Sequence, residues 1–141
     1  MAVEVAPPKT ALVTGAARGI GLATTRLFLE EGYRVAMIDR DAPALAEAAD
    51  GLSGVLPVVC DVSHPDQVAA MAAEVVETLG SIDALVNNAG VADFGPIGET
   101  TYQRWREVME TNLDGVFLVS QACRAALCDA HGAIVNIASI S

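Results

Sequence analysis

The string Thr14-Gly15-Ala16-Ala17-Arg18-Gly19-Ile20-Gly21 places three glycines between an apolar run and a helical pattern. Glycines there permit a tight turn, let a ligand approach the backbone, and let the helix pack closely on the strand. Backbone N–H groups at the start of such a helix can hold a pyrophosphate without cationic side chains. Gly15, Arg18, Gly19, Ile20 and Gly21 are therefore expected to bind a dinucleotide. The plainer alternative is an ordinary glycine-rich turn.

Asp39 stands 18 residues beyond Gly21, at the end of the next apolar run. An acid near this spacing accepts adenosine ribose hydroxyls and repels a 2′-phosphate. Arg18 and Arg40 work in the opposite sense, because a guanidinium pairs with phosphate. The balance favours NAD as cofactor, with NADP as the lesser alternative. Taken alone, Asp39 also fits a solvated carboxylate at a strand end.

Other polar groups follow later apolar runs. Asp61-Val62 follows Val55–Cys60, Asn87-Asn88-Ala89-Gly90 follows Ile82–Val86, and Ser139 follows the start of Ala133–Ala138 and closes it. Asn112 lies within a long helical stretch. Singly, each has a structural explanation: asparagines stabilise turns, Asn112 is a polar mid-helix residue, and Ser139 a strand-end hydroxyl. Jointly, all but Asn112 sit at the C-terminal ends of strands, where open parallel sheets bind ligands.

The elements that position these residues alternate along the chain. Thr10–Thr14, Arg34–Asp39, Val55–Cys60, Ile82–Val86 and Ala133–Ala138 read as strands. Between them, helices are expected over Gly19–Glu31, Pro43–Leu52, from Ser63 to about Leu79, and from about Thr101 to Asp129. On the first helix, Ile20, Ala23, Leu27 and Phe28 form the expected inward face. Trp105 and Met109, four apart, are explained by packing alone. Strand–helix alternation with apolar runs implies an α/β, doubly wound parallel sheet with helices on both faces. One domain over residues 1–141 is expected, because no linker or repeat divides them.

Composition narrows the function further. Eight basic against 18 acidic residues give a formal charge of -10, a field that repels a nucleic-acid backbone. Hydrophobic residues make up 52% of the chain, enough for a core. No uncharged apolar run approaches the roughly 20 residues of a membrane span, so no membrane partner is expected. Met1–Lys9 lacks a signal-peptide pattern, and Cys60, Cys123 and Cys128 form no CxxC pair. A cytoplasmic location and no metal site are the expectations; His64 and His131 stand alone.

The spacing Gly15-x-x-x-Gly19-x-Gly21 resembles the TGxxxGxG signature of the short-chain dehydrogenase/reductase family. Asp61-Val62 is similar to the pair with which that family holds the adenine ring, and Asn87–Gly90 to its NNAG element. Asn112 resembles the helix asparagine that carries a water-mediated proton relay, and Ser139 the serine that binds the reacting oxygen. The resemblance implies a Rossmann fold and hydride transfer between a nicotinamide cofactor and a secondary alcohol or ketone. Asn112 and Ser139 would be catalytic; Asp61, Val62, Asn88, Ala89 and Gly90 would join the cofactor site. The full-length protein is expected to be a homo-oligomer. Residues Val91–Gly98 would help form the substrate pocket.

The family's chemistry also needs a tyrosine with a lysine four residues later, whose charge lowers the phenol pKa. Here Tyr33 and Tyr102 are followed at that distance by Met37 and Arg106, and Lys9 is the only lysine. The domain is therefore expected to be incomplete at its C-terminus, and the chain as given inactive. With a 3-2-1-4-5 strand order, Ala133–Ala138 would be a bare apolar edge, which natural sheets avoid. A non-catalytic dinucleotide-binding sensor or scaffold is the main alternative, disfavoured by the presence of both Asn112 and Ser139. A methyltransferase fits the glycine spacing and Asn87–Gly90 less well.

Overall fold

The computed structural model describes residues 2–140. Five strands, β1 (Thr10–Thr14), β2 (Arg34–Asp39), β3 (Val55–Val59), β4 (Ala84–Asn87) and β5 (Ala133–Asn136), form one parallel sheet ordered β3-β2-β1-β4-β5. The helices are α1 (Gly19–Glu30), α2 (Ala42–Ala49), α3 (Pro65–Leu79), α4 (Tyr102–Met109) and α5 (Gly115–Asp129). The doubly wound α/β fold expected from the sequence is the fold observed.

Period-two alternation divides the core between the two faces of the sheet. Ala11, Val13, Val35 and Met37 pack with Leu45 of α2 and with Leu22, Phe28 and Leu29 of α1. Leu12, Ala36 and Ile38 point the other way, onto Val68, Met71 and Val75 of α3 and Val119, Cys123 and Leu127 of α5. Each such aliphatic side chain, fully buried, contributes about 1.5–3 kcal/mol. β5 forms an edge, with Ile134 and Val135 exposed.

The first helix turns a different face inward from the one expected. Ile20, Ala23 and Leu27 are exposed, and Gly21 and Thr25 are buried. The cause is local: Gly21 must lie against the turn after β1, so helical spacing from Gly21 selects Thr25, Phe28 and Leu29.

The expected long helix is also interrupted. A π-helical turn, Glu110–Asp114, separates α4 from α5, and the N–H of Gly115 reaches back to the Glu110 carbonyl. One extra residue changes the helical phase, so α5 buries Val119, Cys123 and Leu127 while α4 has no fully buried residue. Gly115 permits close passage over β3's exit loop: a Cβ there would lie 2.7 Å from Val62 Cγ2. Trp105 stacks on Tyr102, with ring centroids 5.8 Å apart.

Several strand and helix ends also move. α2 stops at Ala49 because Asp50 is extended, and β5 stops at Asn136. β3 ends at Val59, one residue before the expected Cys60. β4 starts at Ala84, where Asp83 is already committed: its N–H donates to the Thr10 carbonyl and its carboxylate accepts the Thr10 N–H, each at 2.8 Å.

Candidate functional site

The turn after β1 is built by two glycines. Gly15 has φ +65°, a left-handed conformation that favours glycine. At Gly21 a Cβ would stand 2.1 Å from the Gly15 carbonyl oxygen, so α1 can pack there only without a side chain. The resulting first turn of α1 has no acidic residue and no side-chain cap from Arg18. Its N–H groups and helix dipole favour an anion.

The turn is fastened to β2. Ala16 N–H donates to the Ile38 carbonyl at 3.0 Å, and Ala17 N–H to Asp39 Oδ2 at 3.1 Å. Asp39 Oδ1 accepts the Asp41 N–H at 3.0 Å. Asp39 thus holds the glycine turn and the start of α2 in one arrangement. Asp41 caps α2 by accepting the Ala44 N–H, and its other oxygen lies 2.5 Å from Arg18 Nη2.

On the other side, β4 ends in Asn87, which is buried. Its Nδ2 donates to Asn136 Oδ1 at 2.9 Å and to Ser120 Oγ at 3.1 Å, joining β4 to β5 and α5. Asn88 turns toward β1 and donates from Nδ2 to the carbonyls of Thr14 and Gly15. Thr14 Oγ1 accepts the N–H groups of Asn88 and Ala89.

These elements enclose a cleft of about 370 Å³ at the C-terminal edge of the sheet. Gly15, Arg18, Asp39, Arg40, Asp61, Val62, Asn88, Ala89 and Gly90, all sequence-predicted, line it. Gly19 and Ile20 sit outside that lining on the exposed start of α1, and Gly21 lies buried beneath. Ile38, Asp41, Cys60, Val91 and Thr111 join the wall. Of these, sequence had placed only Val91 near a ligand, as the start of the expected substrate pocket.

Asp61 lines the cleft just past β3. Burial works to raise its carboxyl pKa, but the Ser63 hydroxyl and N–H, then His64 and Arg40, outweigh this and hold it below the ordinary value. Next to it, burial and the charges of Asp61 and Asp66 push the Cys60 thiol up to about 11.

Asn112 and Ser139 lie outside the cleft lining. Asn112 stands in the π turn, where its amide and the backbone of Val91 exchange two hydrogen bonds of 2.8 Å. This clamp fixes the beginning of the loop after β4 against the helix. Ser139 is exposed. It follows β5, which Asn136 ties to Asn87 of β4.

The chain matches the short chain dehydrogenase family over residues 9–141. It belongs to that family. Among its relatives, it is 42% identical to galactitol 2-dehydrogenase (L-tagatose-forming) from Cereibacter sphaeroides, over 93% of this chain and 52% of the relative. It is 40% identical to a 3-oxoacyl-(acyl-carrier-protein) reductase from Staphylococcus aureus, over 94% of this chain and 56% of the relative. The solved ligand-free aldohexose dehydrogenase of Thermoplasma acidophilum superposes with a TM-score of 0.84 at 34% identity, covering 94% of this chain and 50% of that one. The chain spans about half the length of the curated relatives it matches.

Dehydrogenases and reductases are oxidoreductases, and the cleft fits a nicotinamide dinucleotide. The Gly15–Gly21 approach leaves backbone where a Cβ would intrude, the α1 start favours a diphosphate, and a carboxylate stands at the end of β2. No helix among the described residues is long and apolar enough to cross a membrane.

Proposed function

We propose that this chain is the cofactor-binding part of an NAD-dependent oxidoreductase acting on a secondary alcohol or ketone. The observation that carries the reading is the cleft itself, in which the glycine turn and Asp39 face one volume across the ends of β1, β2 and β4. Gly15, Gly19, Ile20 and Gly21 hold the pyrophosphate through backbone and helix start, with Arg18 at the rim. Asp39 accepts the adenosine ribose hydroxyls, and Arg40, Asp61 and Val62 border the adenine. Asn88, Ala89 and Gly90 support the nicotinamide half.

The bound cofactor supplies hydride transfer at its nicotinamide ring; the protein orients it and manages protons. Ser139 hydrogen-bonds the substrate oxygen. Asn112, clamped to Val91, sets the backbone that orders a proton-relay water. The relatives' names span a polyol dehydrogenase and a ketoacyl reductase, which supports the alcohol/ketone class without choosing a member of it. The reading includes a cytoplasmic homo-oligomer; the free thiols of Cys60, Cys123 and Cys128 support a reducing compartment.

The test is a titration of the full-length protein with NADH and NADPH. NADH is expected to bind at least about tenfold more tightly, a difference of ~1.4 kcal/mol. Asp39→Ala should erase most of that preference. Equal affinities in the unmodified protein would overturn the assignment of Asp39.

A further inference from the structure

Two guanidinium groups border the adenosine end of the cleft, and each faces a carboxylate. Arg18 Nη2 lies 2.5 Å from Asp41 Oδ2, and Arg40 Nη1 lies 3.8 Å from Asp61 Oδ2. The first pair is the closer, and its acid is anchored. Asp41 Oδ1 accepts the Ala44 N–H at 3.1 Å as the cap of α2, and the Asp41 N–H donates to Asp39 Oδ1 at 3.0 Å.

Most exposed ion pairs are weak because two mobile side chains must be ordered. Here the helix cap and Asp39 have already ordered one of them. The Ala44 N–H, then the Arg18 guanidinium, hold the Asp41 carboxyl below its ordinary pKa, and Asp41 raises that of Arg18.

We propose that Asp41 is a specificity-determining residue: by engaging Arg18, it withholds from a 2′-phosphate the guanidinium carried by the glycine turn. The inference rests on the dinucleotide reading of this cleft and deepens it. Asp39 opposes the 2′-phosphate by its own charge, whereas Asp41 does so by occupying the cation that would compensate. Asp39 thus carries most of the NAD preference and Asp41 adds to it, the two being joined by the bond from the Asp41 N–H to the Asp39 carboxylate.

The test is a double-mutant cycle in the full-length protein, with NADH and NADPH affinities measured by fluorescence titration at low salt. The variants are Asp41→Asn, Arg18→Ala and the pair combined. Asparagine caps helices as well as aspartate does, so Asp41→Asn removes the charge and keeps the α2 cap. It should tighten NADPH roughly three- to tenfold and shift NADH by less than about twofold, with the NADPH gain shrinking as salt rises. With Arg18→Ala in place, the same substitution should give no NADPH gain.

A gain that persists without Arg18 would show simple repulsion by Asp41 and overturn the proposal. So would unchanged NADPH affinity in Asp41→Asn while the unmodified protein binds NADH normally. Binding of neither dinucleotide by the unmodified protein would instead overturn the underlying reading of the cleft. Asp41→Ser, an uncharged capping residue, repeats the measurement should Asp41→Asn fold poorly.

Discussion

Thr14 and Asn88 hold each other across 74 positions of sequence. Thr14 Oγ1 accepts the Asn88 N–H at 3.0 Å, and Asn88 Nδ2 donates to the Thr14 carbonyl at 3.1 Å. The same hydroxyl accepts the Ala89 N–H at 2.9 Å. The end of β1 and the exit of β4 are therefore one unit, and that unit forms the floor on which the glycine turn stands.

Replacing Thr14 with valine keeps the shape and removes this acceptor. Two backbone N–H groups would lose their partner beside a side chain that is 1% exposed. The expected loss of stability is about 1–3 kcal/mol, the cost of leaving buried donors unsatisfied. Urea denaturation of the full-length protein measures it. NADH affinity should fall as well, since the turn loses its support. Unchanged stability would mean that water satisfies both donors and that the pairing is incidental.

Ser139→Ala in the full-length protein should separate chemistry from cofactor binding. We expect kcat/KM to fall by about two orders of magnitude, typical of removing one aimed donor. NADH affinity should hold, because Ser139 lies past β5 and outside the cleft lining. An equal fall in cofactor affinity would make Ser139 a structural residue of the sheet edge.

The three thiols should differ sharply in reactivity. Cys60 and Cys123 are buried and their pKa values are pushed up to about 11, in both cases mainly by burial. Against the ordinary value of 9.0, that leaves roughly a hundredfold less of the nucleophilic thiolate near neutral pH. Cys128 is exposed. Iodoacetamide labelling followed by peptide mass spectrometry should modify Cys128 first, and the other two only after denaturation. Rapid labelling of Cys60 in the native protein would show that the cleft opens further than described.

Much of this site was legible as pattern. Parallel strands read as apolar runs, so β1 to β5 emerged, in chain order, from their alternation with helical patterns. Gly15 and Gly21 were readable because a close backbone approach excludes every other residue. Asp39 was readable because the length of a βαβ unit places the end of β2 at a set distance from the glycine turn.

Other features were not legible, for equally physical reasons. Apolar spacing on α1 pointed to Ile20 and Leu27, but the contact between Gly21 and Gly15 rotates the helix the other way. The π turn around Asn112 went unread, and there Asn112 bonds Val91 in another element. Asp41 carried no signal in the sequence, because only the fold brings Arg18 to it across 23 residues. By itself, the sequence determined the order of the elements and the residues that only a tight turn tolerates, because both arise from neighbours along the chain. Only the tertiary structure decided which face each helix buries and which charges meet, because those depend on side chains that the sequence separates and packing brings together.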